Sequence, residues 1–237
     1  MATVLLVRHG RTSANSSGVL AGRAPGVRLD DLGRSQAAEL GARMSALPLA
    51  AVVSSPLERC RQTATAIVSV LASELSVSVD RRLIECGYGD WTGKQLKDLA
   101  KEPLWKVVQG HPSAAEFPGG ESLRGMQARA LDAIRAHDAA VTETVGPAAL
   151  WVAVSHGDVI KAILADAVGS HLDEFQRIVV DPGSVSVVSY TPLRPFVVRL
   201  NEHGDLTGLV PKAKPGRRHR ARASSDAPVG GGAGLAT

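Results

Sequence analysis

Short, wholly apolar runs alternate along this chain with longer stretches in which apolar residues return every three or four positions. Val4–Val7, Ala51–Ser54 and 150–154 are runs of the first kind, and each reads as a strand buried on both faces. Leu32–Leu47 has helical spacing, with Asp30 or Asp31 placed to cap its N-terminus. Pro56 stands at the expected first turn of a second helix that runs to about Leu71. Val77–Leu83 alternates weakly, as a strand does. Ser122 is placed to cap a long helix to about Val141, with Leu123, Met126, Ala130, Ile134 and Val141 as its apolar stripe. A further helix follows from about Asp158 to Val168. Val185–Tyr190 and Phe196–Leu200 close the pattern as a hairpin turning through Pro192 to Pro195. This alternation predicts an α/β fold, a three-layer α/β/α sandwich around a mostly parallel sheet. The Gly-, Pro- and Trp-rich stretch Gly87–Gly120 breaks the rhythm and is expected to form an insertion or lid over the strand ends.

Composition changes this picture at one end only. Among 237 residues, 1–210 read as one folded domain, and aromatic residues are so few (3%) that its core must rest on Ala, Val, Leu and Ile. No apolar run approaches the roughly 20 residues that span a bilayer, and the N-terminus lacks the basic and apolar regions of a secretory signal. Cys60 and Cys86 make neither a disulfide framework nor a zinc cluster, which suits reduced thiols in a cytoplasmic protein. The net charge of +4 misleads, because 211–237 carries six Lys/Arg and one acid. Without it, 21 basic residues face 22 acidic ones, a net charge of −1. The segment 211–237 is too poor in apolar residues to order itself and is expected to be a disordered tail. Its charge makes contact with nucleic acid or an acidic surface a candidate role, against that of a solvated extension.

Candidate chemistry sits where the apolar runs end. Val4–Val7 leads into Arg8-His9-Gly10, and 150–154 leads through Ser155 into His156-Gly157. Ligand sites of α/β proteins form outside the carboxyl ends of the strands, so the two histidines are expected to share one site. Three further segments hold polar groups that a core does not choose: Ser54-Ser55-Pro56-Leu57-Glu58-Arg59-Cys60-Arg61-Gln62-Thr63-Ala64, Glu85-Cys86-Gly87-Tyr88-Gly89-Asp90-Trp91-Thr92-Gly93, and Gly120-Glu121-Ser122. Taken in chain order over about residues 1–200, the five motifs closely resemble the histidine phosphatase superfamily, in the branch that contains cofactor-dependent phosphoglycerate mutases and small phosphatases.

The resemblance implies a phosphoglycerate mutase-like fold and a site that needs neither metal nor cofactor. His9 matches the nucleophile that becomes a phosphohistidine, Arg8 and Arg59 the phosphate-binding arginines, and His156 the second histidine, which donates to the phosphoryl oxygens. Asn15 matches a further phosphate contact. Glu85 matches the general acid, a role that requires a carboxyl kept protonated near neutral pH; Asp158 is its rival. Arg11, Thr12, Glu121 and Ser122 are candidates to line the pocket, although Thr12, Glu121 and Ser122 equally suit turns and caps. Cys60 and Cys86 adjoin site residues, as buried filler or as points of oxidation.

The same site serves a phosphatase or a mutase. Between Gly93 and Gly120 the chain has Lys94, Lys97, Lys101, Lys106 and His111 but no Arg-Arg pair of the kind by which the mutases hold a carboxylate, and Gly89-Asp90-Trp91-Thr92-Gly93 matches the small phosphatases better. A phosphomonoester hydrolase acting on small phosphorylated metabolites is therefore expected, with a 2,3-bisphosphoglycerate-dependent mutase as the alternative. A non-catalytic phospho-ligand binder would need the arginines but not an acid. Scarce aromatic residues in the variable segment give no clear stacking platform, so the substrate stays open. A homodimer is a further expectation of the resemblance.

Overall fold

The computed structural model describes residues 1–72 and 74–210, so the expected tail at 211–237 lies outside the described residues. Six strands form one sheet: β1 (Thr3–Arg8), β2 (Leu49–Ser54), β3 (Val77–Val79), β4 (Leu150–Ser155), β5 (Val185–Tyr190) and β6 (Pro195–Glu202). Their spatial order is β3-β2-β4-β1-β5-β6. The four strands β3, β2, β4 and β1 run parallel, and β5 turns antiparallel to both β1 and β6.

Side chains of β1 alternate between the two faces, as the two-residue period of a strand requires. Val4 and Leu6 enter a core that includes α6 (Leu123–Thr144) and α7 (Gly157–Ala167) through Met126, Ile134, Ile160 and Ile163. Leu5 and Val7 enter a second core with Leu40 and Met44 of α2 (Asp31–Met44) and Ala64 and Ile67 of α3 (Glu58–Val68). Both faces are covered, and the wholly apolar strands are buried as the run pattern predicts. Asp30 caps α2 by accepting from the Gly33 N–H at 2.8 Å, and Ser122 caps α6 by accepting from the Gly125 N–H at 3.0 Å.

Three boundaries differ from the sequence expectation. Pro56 lies ahead of α3, because Leu57 is still extended (φ −71°, ψ 141°) and the helix starts at Glu58. Strand β3 stops at Val79, where the Asp80 carboxylate accepts from the Arg82 N–H and bends Arg81–Leu83 into a 3-10 turn. The stretch 87–120 contains two helices, α4 (Leu96–Leu99) and α5 (Pro103–Gly110), of 4 and 8 residues. They are too short to show a period in sequence. No helix among the described residues is long and apolar enough to cross a membrane.

Candidate active site

Strands β1, β2 and β4 lie side by side and end together, and their carboxyl ends deliver the site. His9 follows β1, donates its backbone N–H to Ser155 O at 3.1 Å and is 3% exposed. Gly10 lets the loop pass close to α2, since a Cβ there would meet Gly33 O at 2.4 Å. The Gly10 N–H donates to Thr63 Oγ1 at 3.1 Å, which ties the loop to α3. The side chain of His9 is oriented by its own loop: Nδ1 lies 2.7 Å from Gly10 O. A carbonyl only accepts, so Nδ1 carries the proton and Nε2 keeps its lone pair. Arg59 Nε donates to that lone pair at 3.2 Å. Burial, then Arg59, then Arg8 hold the imidazole well below its ordinary pKa, so it is neutral at neutral pH.

His156 caps α7 at the end of β4, fully buried, with its ring centroid 5.3 Å from that of His9. Arg59 Nη2 approaches its Nδ1 at 3.3 Å, and its Nε2 lies 2.7 Å from Ser55 Oγ. A guanidinium only donates, so the proton sits on Nε2 and is given to Ser55. Burial followed by Arg59 lowers this pKa as well.

The two arginines have donors to spare. Arg8 Nη1 donates to Val180 O at 2.6 Å and Arg59 Nη2 to Gly22 O at 2.8 Å. Arg8 Nε and Arg59 Nη1 are buried and have no partner. Leaving a buried donor unpaired costs about 1–3 kcal/mol, more for charged groups. Two such donors beside a neutral imidazole form a cradle for an anion.

Glu85 completes the group from the loop after β3. Its Oε2 stands 4.0 Å from His156 Nδ1, and its Oε1 accepts from the Cys86 N–H at 2.9 Å. Burial, reinforced by the nearby Asp158 carboxylate, raises its pKa to about 7. Asp158, the rival acid, accepts a hydrogen bond from Tyr88 Oη at 2.7 Å and lines the same cleft.

The remaining candidates separate. Asn15 lies in the cleft wall on α1 (Ser13–Ser16), its Oδ1 accepting from Thr12 N and Thr12 Oγ1 at 3.0 and 2.9 Å. That pairing turns the Asn15 amide nitrogen, a donor, away from Thr12. Thr12 lines the cleft but spends its hydroxyl on Asn15. Arg11 also lines it, with Nε held by Asp30 at 2.8 Å. Glu121 and Ser122 are absent from the cleft wall: Ser122 caps α6, and Glu121 accepts from Arg23 Nη2, Arg129 Nη2 and the Gly87 N–H at 2.6, 2.5 and 2.8 Å. Arg23 Nε and Arg129 Nη2 also donate to Glu85 O, at 2.8 and 3.1 Å. Arg23, Arg129 and Glu121 thus form a frame behind the acid. Nothing in the sequence reading pointed to Arg23 or Arg129; Ser55 and Thr63, by contrast, lay within a recognised motif. Cys60 packs against His156 with its thiol pushed up to about 12 by burial, and Cys86 is likewise buried with its thiol raised. Both are filler. Arg8, His9, Arg59 and Glu85 line a cleft of about 690 Å³, and His156 lies buried behind them.

Known proteins share this arrangement of sequence. The sequence profile of the histidine phosphatase superfamily (branch 1) matches residues 4–203. Phosphoserine phosphatase 1 of Hydrogenobacter thermophilus is 30% identical over 210 residues, 85% of this chain and 92% of that one. Fructose-2,6-bisphosphatase TIGAR of Xenopus tropicalis is 37% identical over 129 residues, 54% of this chain and 46% of that one, so the chain spans less than half of that relative. Among solved structures, the alpha-ribazole phosphatase of Shigella flexneri superposes with a TM-score of 0.75 at 25% identity, covering 86% of this chain and 98% of the other. The mycobacterial glucosyl-3-phosphoglycerate phosphatase gives 0.75 at 26%, covering 84% and 98%.

Proposed function

Because the chain belongs to the histidine phosphatase superfamily, branch 1, we propose that it is a phosphomonoester hydrolase that works through a phosphohistidine at His9. The observation that carries this reading is the pair of orphaned donors, Arg8 Nε and Arg59 Nη1, buried beside the unprotonated Nε2 of His9. A phosphoryl group seated there meets two guanidinium forks and lies within reach of the nucleophile.

In the first step the Nε2 lone pair attacks phosphorus, the P–O ester bond breaks, and its electron pair leaves on the alkoxide oxygen. Glu85, with a pKa near 7, gives that oxygen its proton. In the second step the Glu85 carboxylate takes a proton from water, the resulting hydroxide attacks phosphorus, and the P–N bond returns its electrons to Nε2. Alcohol and phosphate are the products. The dianion replaces guanidinium as the main neighbour of His156 Nδ1, which favours a proton there and a hydrogen bond to a phosphoryl oxygen. Asn15 adds a donor from its amide nitrogen. The guanidinium groups supply the charge that a metal ion supplies in other phosphoryl-transfer sites, and no cofactor takes part. Residues 87–120 act as the wall over this clamp.

The test is phosphate release by the purified chain, with labelling of the protein. The wild type is expected to release phosphate and to carry an acid-labile label in a rapid quench; His9→Ala loses both. Wild-type turnover in that variant sinks the mechanism. If the protein interconverts 3- and 2-phosphoglycerate, with a bisphosphoglycerate primer, faster than it releases phosphate from any ester, it is a mutase.

A further inference from the structure

The cleft has two ends of opposite character. Its inner end holds Arg8, His9, Arg59 and Glu85. Further out, Leu20, Leu96, Trp105 and Val179 line it, alongside the polar Gln109 and Gln176. Leu96 is 39% exposed and Val179 58%. Large aliphatic groups left open to water at the mouth of a charged pocket cost the free protein and are recovered when a ligand covers them.

This wall is rigid. Trp105 stacks on the buried Trp91 with ring centroids 6.2 Å apart and planes 25° from parallel, and Phe117 meets Trp91 edge-on at 5.3 Å. The chain has three Trp, two Tyr and three Phe, and Tyr88, Trp91, Trp105 and Phe117 all line this one cleft. The scarcity that argued against a stacking platform is therefore a property of the rest of the chain.

Charge along the outer cleft points the same way. Among the described residues that line it, the cations beyond the phosphate clamp are Arg11 and Lys161. Arg11 is paired with Asp30 at 2.8 Å, and Lys161 donates to Gln176 Oε1 at 3.1 Å with Asp158 at 3.9 Å. Two carboxylates, Asp158 and Asp181, line the same space. A second phosphate or a carboxylate on the substrate meets these carboxylates, and each of the two cations already has a partner.

We infer that the substrate is a phosphomonoester of an alcohol with an apolar carbon skeleton and no second anionic group. This rests on the hydrolase reading and narrows it. The alcohol's skeleton lies along Trp105, Leu96 and Val179 while the phosphate occupies the arginine clamp.

Ethyl, butyl and hexyl phosphate test it with the full chain, since their leaving groups differ little in acidity and chain length alone changes. Fully burying a methylene is worth about fourfold and hexyl phosphate carries four more than ethyl phosphate, so even half of that burial free energy is expected to raise kcat/KM by more than about tenfold along the series. Hexyl phosphate is also expected to exceed 3-phosphoglycerate and fructose 2,6-bisphosphate. Trp105→Ala, and independently Val179→Asp at an exposed position, are expected to flatten the series. Phosphate release with a flat series, or with an anionic ester preferred, overturns this inference alone. No release from any ester and no label on His9 removes the hydrolase reading, and this one with it.

Discussion

A carboxyl group that titrates near pH 7 serves as an acid only while its proton is present, and Glu85 owes that proton to burial and to Asp158. The activity profile follows from the signs. His9, lowered below 6.5, is already a neutral nucleophile at pH 6–8, so the alkaline limb belongs to Glu85: kcat/KM falls as pH rises through about 7. Glu85→Gln is expected to abolish that limb and to cost about 10²–10⁴ in kcat on alkyl phosphates. The loss is expected to be far smaller on p-nitrophenyl phosphate, whose leaving group departs without a proton. Equal losses on both esters, with the alkaline limb intact, assign the proton elsewhere. Arg8, His9, Arg59, Glu85 and His156 were legible in the sequence because each sits in a motif of fixed spacing. Glu121 and Ser122 were legible only as candidates, since a Gly-Glu-Ser turn serves a pocket and a helix cap equally well. Arg23 and Arg129 were not legible, because what they hold, the Glu85 carbonyl and the Glu121 carboxylate, comes near them only through folding.

Between elements, the decisive contact is made by glycine. The start of α2 lies against the loop that carries His9 so closely that a Cβ on Gly33 would fall 1.9 Å from Arg11 O. Gln36, one turn further along α2, accepts from the Arg11 N–H at 2.8 Å. Gly33→Ala therefore has to push the loop and the helix apart. It is expected to destabilise the protein by about 1–3 kcal/mol, as overpacking does, and to slow phosphorylation of His9 because Nε2 shifts relative to Arg59. Thermal unfolding and a quenched-flow labelling rate check both, and an unchanged rate would mean that the loop holds its geometry without α2. Periodicity placed α2, with Asp30 or Asp31 in position to cap it, but this approach belongs to two backbones. Helices α4 and α5 escaped notice for another reason, that 4 and 8 residues hold too few turns to display a period.

For the molecule as a whole, the site is a cost that the two cores offset. β1 lies between parallel and antiparallel halves of the sheet, and the clamp forms where the chain departs to either side. Glu85 shows the sign of that cost. Its folded pKa of about 7 lies above the unfolded value near 4.5, so the folded state holds the proton more tightly. Its contribution is full below about pH 4.5 and is lost as pH rises to 7; above that, an ionised carboxylate stays buried. Glu85→Gln is thus expected to leave stability unchanged at pH 4 and to raise it at pH 8, by on the order of 1–3 kcal/mol. A variant less stable than the wild type at pH 8 would show that the carboxylate is welcome in its site.

The stack of Trp105 on Trp91 gives the protein an optical gauge of its own cleft. Two of its three indoles sit in this wall, and the third, Trp151, is fully buried in β4 beside His137. A ligand that covers Trp105 changes the water around one emitter in a stacked pair and leaves the distant one untouched. Occupancy is written into the intrinsic fluorescence, without a label and without turnover.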